Sequence, residues 1–216
     1  MVPDKSQPAR ERRKARSGTI QDRDAHDDEP GGPEPGGPEP GSQEAARLIC
    51  LRLLASGPRT RSQLATALRK RRVPDEVADS VLGRFAEVGL IDDAAFARAW
   101  VESRHHGRGL ARKVLAAELR QRGVSDGEVR SAVGLLRPQD ELATAQRLVA
   151  RRVAASRGKP MPVRARQLMG MLARKGYPPG LAAQVVREAL EQDQADGGSG
   201  TDLAWISEDG SGDEWS

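Results

Sequence analysis

Three stretches of the chain repeat one pattern without gaps: "LATALRKRRVPDEVADSVL" (64–82), "LAAELRQRGVSDGEVRSAV" (115–133) and "LMGMLARKGYPPGLAAQVV" (168–186). In each, two leucines four apart are followed five residues later by an apolar residue, and an apolar pair lies eight and nine residues further on. The positions are Leu64, Leu68, Val73, Val81 and Leu82; Leu115, Leu119, Val124, Ala132 and Val133; and Leu168, Leu172, Tyr177, Val185 and Val186. This is the spacing of two amphipathic helices around a short turn. A unit of that size cannot bury its apolar face alone, so repeated copies stack on their neighbours.

The turn chemistry agrees with this reading. Gly123 and Gly176 suit a left-handed residue after a helix end. Thr60 with Gln63 and Ser125 with Glu128 have capping-box spacing, and Pro74 and Pro178 favour early helical positions. A further helix precedes each aligned pair, at 43–56, about 92–106 and about 139–157. No segment alternates with period two, so no strand is predicted. The expected fold is all-α: three tandem three-helix repeats at 42–91, 92–138 and 139–193, stacked into an elongated, curved body.

Charge divides the chain along the same lines. Residues 1–41 hold seven Lys/Arg and nine Asp/Glu, and twice contain "GGPEP". Such a segment buries too little to offset its ordering entropy and is predicted to be a disordered arm. Residues 194–216 hold six acidic residues and no basic one, and are predicted to be a disordered acidic tail. The body between them carries 28 basic and 16 acidic residues, a net of +12 hidden within the overall +4. A body of that sign attracts polyanions or acidic protein surfaces. The acidic tail, with Trp205 and Trp215, is a candidate to fold back and compete for that surface.

The opening of the second unit, "GLIDDAAFARAW" (89–100), sets two carboxylates side by side. Acid–base chemistry needs groups that converge on a pocket, whereas adjacent residues at a helix start point apart. Asp92 and Asp93 are therefore read as structural caps, favoured by the free amides and the positive end of the helix dipole. His105 and His106 have too few companion ligands for zinc, which needs three or four. "GRGLAR" (107–112) lacks the strand and the Gly-Lys-Ser/Thr run of a phosphate loop. No nucleophile motif is present, and the chain is predicted to be neither an enzyme nor a binder of metal or cofactor.

The single cysteine, Cys50, excludes an internal disulfide, and no apolar run approaches the roughly 20 residues that span a bilayer. No apolar segment follows the basic N-terminal residues as a secretory signal requires. These features predict a cytoplasmic protein with no membrane contact, and a monomer is expected. Aromatic residues are only 3% of the chain, so stacking platforms for single-stranded nucleic acid are absent. Any contact with single- or double-stranded DNA would run through arginine and phosphate.

With its repeats, the run Gly89, Asp92, Asp93, Phe96, Ala97, Arg104, and then Glu118, Leu119, Gly123 and Val124, the chain resembles the RecX family of RecA regulators across about residues 42–191. The resemblance implies a curved helical stack that binds the RecA filament, in its groove or at its growing end. It would thereby restrain RecA's recombinase, ATPase and co-protease activities in DNA repair, homologous recombination and the SOS response. The candidate partner contacts are basic. In the second unit they are Arg104, Arg108, Arg112, Lys113, Arg120 and Arg122. In the third they are Arg151, Arg152, Arg157, Lys159, Arg164, Arg166, Arg174 and Lys175. The alternative is direct DNA binding by a helix-turn-helix at 60–88.

Overall fold

The computed structural model describes residues 38–198, so the readings made for 1–37 and 199–216 lie outside it. Among the described residues there are nine α-helices and no strand. The first unit comprises α1 (Gln43–Ser56), α2 (Arg61–Lys70) and α3 (Asp75–Glu87). The second comprises α4 (Asp93–Arg108), α5 (Arg112–Gln121) and α6 (Asp126–Gly134). The third comprises α7 (Pro138–Val153), extended by a 3-10 turn at Ala154–Ser156, then α8 (Met161–Arg174) and α9 (Pro179–Gly198). The fold is an all-α helical repeat.

Local side-chain caps start several of the helices. Ser42 caps α1 through the Ala45 amide. Complete capping boxes open α2 (Thr60 with Gln63) and α6 (Ser125 with Glu128), so each box satisfies two otherwise orphaned amides. Pro74 and Pro178 sit one position earlier than the sequence suggested. Each lies just outside its helix, where its carbonyl accepts the first helical hydrogen bond. The third helix of the last unit also passes the expected boundary at 193 and continues to Gly198; Asp193, in its last turns, pairs with Arg157 and Arg164.

In every unit the first and third helices pack together and the second helix closes against the third. The repeated leucines fill the three cores. Leu64, Leu68 and Leu82 are fully buried in the first, Leu115 and Leu119 in the second, and Leu172 in the third. Cys50 is also fully buried, and burial pushes its thiol pKa up to about 11. Tyr177, at the turn of the third unit, donates its hydroxyl to the Gly109 carbonyl (3.1 Å), and burial raises its pKa to about 12.

The junctions between units repeat as well. The second helix of one unit points its first turn at the α–α turn of the next unit and at that unit's first helix. At the first junction, the Arg61 amide donates to Asp93 Oδ1 (2.9 Å) and the Thr60 hydroxyl donates to the Arg122 carbonyl (2.7 Å). At the second, the Arg112 amide donates to Glu141 Oε1 (2.9 Å) and the Ala111 amide donates to the Lys175 carbonyl (2.9 Å). Ala111 is wholly buried and belongs to the core of the third unit, so the second junction is apolar as well as polar.

These junctions explain the turn residues. Arg72, Gly123 and Gly176 all have φ between +60° and +87° at equivalent positions. A Cβ on Gly123 would meet the Ser62 side chain at 2.2 Å, and one on Gly176 would meet Val114 at 2.7 Å. Both obstacles belong to the preceding unit. Among the described residues no unit precedes the first, and there the left-handed residue carries a side chain, Arg72.

Candidate partner-binding face

Asp92 occupies the N-cap of α4 and its Oδ1 accepts from the Ala95 amide at 2.7 Å. Asp93, the first residue of α4, turns instead to the neighbouring unit, where it covers a free amide of α2. Burial raises the Asp93 pKa; the Arg61 hydrogen bond opposes this, and the nearby Glu128 and Asp92 charges add to it. The two carboxylates thus serve two different helices, and they do not converge on a pocket.

Several candidate arginines have internal roles. Arg104 is 3% exposed and Arg164 6% exposed. The expectation that these two reach a partner is corrected: both lie in the interior. The Arg104 guanidinium lies 4.1 Å from the centroid of the Trp100 ring, and that of Arg122 lies 3.8 Å from it. This geometry is cation–π, at about 0.5–2 kcal/mol per contact. Trp100 itself stacks on Phe96 and donates Nε1 to Glu118 Oε2 (2.8 Å). The only sequence hint was Phe96, Trp100 and Arg104 recurring every four residues, one face of α4.

Arg164 donates Nε to Ser156 Oγ (2.9 Å) and pairs with Asp193 on α9, which also takes Arg157. These two hydrogen bonds hold the Asp193 carboxyl below the ordinary aspartate range. They tie the 3-10 turn, α8 and α9 together. Arg112 pairs with the buried Glu141 across the second junction at 2.9 Å, and Arg120 pairs with Asp126 at 2.7 Å. Spacing alone did not single out Glu141 or Asp193, because each finds its partner on another helix.

His105 is buried between α4 and α7. Its Nδ1 lies 2.9 Å from the Leu110 carbonyl, which can only accept, so the proton sits on Nδ1. Nε2 then accepts from the Thr144 hydroxyl (2.9 Å), whose oxygen accepts from Arg147 (2.8 Å). His105 is thereby part of the second junction. Among the described residues, no group of three potential metal ligands comes together, and no helix is long and apolar enough to cross a membrane.

Among the candidate cations, four gather in one groove. Arg152, Lys159, Arg166 and Arg174 line a groove of about 450 Å³ between the end of α7 and α8, whose floor includes Leu168, Gly170 and Met171. No carboxylate lines it. Lys159 is held by Gln167 at 3.1 Å, and among the described residues Arg152, Arg166 and Arg174 have no ion-pair partner. The positive surface continues to Lys175, whose Nζ donates to the Arg108 carbonyl. Burial, with the Arg108 and Arg152 charges, lowers the Lys175 pKa. Cations this crowded gain from any anion that settles among them. Arg151 and Lys113 are exposed as well. By contrast, α3, the candidate recognition helix, exposes Asp75, Glu76 and Asp79.

The fold has known counterparts. Residues 46–85 match the first three-helix domain of RecX and residues 92–133 match the second. The chain is 60% identical to regulatory protein RecX of Thermobifida fusca over 167 residues, which cover 77% of this chain and 90% of that one. It is likewise 60% identical to regulatory protein RecX of Streptomyces coelicolor over 151 residues, 70% of this chain and 80% of the relative. The crystal structure of RecX from Lactobacillus salivarius superimposes with a TM-score of 0.64 at 16% identity, covering 68% of this chain and 96% of that one. The chain belongs to the RecX family of regulatory proteins.

Proposed function

We propose that this protein is a non-enzymatic regulator that binds filaments of the RecA recombinase and restrains their ATPase, strand-exchange and co-protease activities. The groove formed by Arg152, Lys159, Arg166 and Arg174 carries the assignment of the contact surface, because it gathers cations with no carboxylate among them. Lys175, with Arg108 and Arg152 near it, extends the same positive charge toward the second junction. A cationic face of this kind steers an acidic protein surface into register and speeds encounter. Acting as a cytoplasmic monomer, the protein would serve DNA repair, recombination and the SOS response by setting how long RecA stays active. Titrating it into RecA assembled on single-stranded DNA, while following ATP hydrolysis, tests the reading. A saturable fall in rate supports it, and an unchanged rate at excess protein refutes it.

Phosphate contacts with DNA draw on the same chemistry as the groove, and free DNA is the second reading. Its helix-turn-helix form is disfavoured, since the acidic exposed face of α3 would meet phosphate with repulsion.

A further inference from the structure

The chain leaves its described fold beside the groove. Asp193, near the end of α9, pairs with Arg164, which in turn donates to Ser156 Oγ. Ser156 lines the groove. The charge of Asp196 also acts on Arg157. Gly198, the last helical residue, is therefore about 7.5 Å of helix beyond Asp193, whose side chain is two hydrogen bonds from the groove wall. The residues that follow, 199–216, include Asp202, Glu208, Asp209, Asp213 and Glu214 and no basic residue. Fully extended they reach about 60 Å, so span is no obstacle.

The stretch "TDLAWISED" (201–209) interleaves acids with Leu203, Trp205 and Ile206. The groove interleaves cations with Leu168, Met171 and Ala155. Both charge and apolar content match. The effective concentration of a segment tethered this closely is high, so even weak complementarity fills the site much of the time.

We propose that residues 199–216 bind in the groove of the third unit, through carboxylates on Arg152, Lys159, Arg166 and Arg174, and act there as an internal competitor. An external acidic partner then has to displace the tail. The competition rests on the partner-binding reading above, whereas the docking itself does not.

The docking is tested on the full chain with a spin label on Ser211→Cys. The buried Cys50, its thiol pKa raised by its surroundings, stays unreactive under native conditions. Paramagnetic broadening of backbone amide signals is then recorded at low salt and at about 0.5 M salt, where screening acts within a few ångströms. Docking requires intensity loss at Ala155 and Gly170 at low salt, recovery at high salt, and no loss in an Arg152→Ala/Arg166→Ala/Arg174→Ala background. Undisturbed groove amides, or broadening centred on another basic segment such as that around Lys113, overturn it. This readout contains no RecA, so failure of RecA regulation would leave it standing, and its own failure would leave RecA regulation standing.

Discussion

The Asp93 carboxylate accepts a hydrogen bond from the backbone amide of Arg61 at 2.9 Å, across the boundary between two repeats. One side chain at the start of α4 thus completes the N-terminus of α2, a helix 32 residues earlier. Glu141 does the same for Arg112 at the next boundary. Each of the first two repeats is capped by its successor, so the stack is held by directed contacts as well as by buried leucines.

Replacing Asp93 separates the acceptor from the charge. Asp93→Ala removes the cap and is expected to cost about 1 kcal/mol. Asp93→Asn keeps an acceptor oxygen and sheds a partly buried charge, so its cost stays within about 0.5 kcal/mol. The raised pKa of Asp93 means that the folded chain holds this proton more tightly than the unfolded one. The contribution of this group therefore becomes more favourable as pH falls through the folded pKa, and Asp93→Asn abolishes that change. Urea unfolding at pH 7 and at mildly acidic pH measures both effects. An alanine variant as stable as the parent would refute the capping role.

Three glycines with positive φ form a graded series. Gly89 (φ +74°) faces open space, so Gly89→Ala pays only backbone strain, about 1–2 kcal/mol. Gly123→Ala and Gly176→Ala add a collision with Ser62 and Val114 of the preceding unit, and overpacking contributes a further 1–3 kcal/mol or so. Thermal unfolding should rank both below Gly89→Ala. Adding Ser62→Gly to Gly123→Ala should restore part of the loss. Equal costs for all three variants would show that unit docking places no demand on these turns.

Much of this architecture is legible in the sequence, and the division is physical. Helices, turns and capping boxes are set by neighbours within four residues, so Thr60 with Gln63 and Ser125 with Glu128 could be read directly. The partners of the junction carboxylates Asp93 and Glu141, and of Asp193 within the third unit, could not, because they are acquired only once separate helices meet. The same limit applies to the cations. Arg104 and Arg108 are one helical turn apart, yet Arg104 lies against Trp100 inside the second unit and Arg108 is exposed. Composition locates a basic body, whereas packing decides which of its arginines are available.

Arg164 and Arg166 make that distinction measurable. Arg164→Ala removes a buried partner of Asp193 and should lower the melting temperature. Arg166→Ala changes an exposed side chain of the groove and should alter stability by no more than about 0.5 kcal/mol while weakening partner binding. A melting temperature that falls equally in both would contradict the assignment of roles.

Acid should loosen the third unit first. Asp193 has its folded pKa lowered by hydrogen bonds from Arg157 and Arg164. Its stabilising contribution is complete above the unfolded aspartate value of about 3.9 and is lost as pH falls through the lower folded value. Exchange of the α9 amides, taken relative to the unfolded-chain rate at each pH, should therefore accelerate below about pH 4. In Asp193→Asn it should be faster already at neutral pH and show less further change. Exchange in α9 that ignores both acid and the substitution would rule out the Asp193 anchor.

The most direct measurement is the ATPase rate of RecA filaments titrated with the parent protein and with Arg152→Glu/Arg166→Glu/Arg174→Glu, after matching melting temperatures confirm that both are folded. The expected result is saturable inhibition by the parent and a shift of at least about tenfold in the concentration the variant needs, equivalent to about 1.4 kcal/mol. Equal potency of the two proteins, or no inhibition by the parent, would contradict a RecA-binding role for the cationic groove.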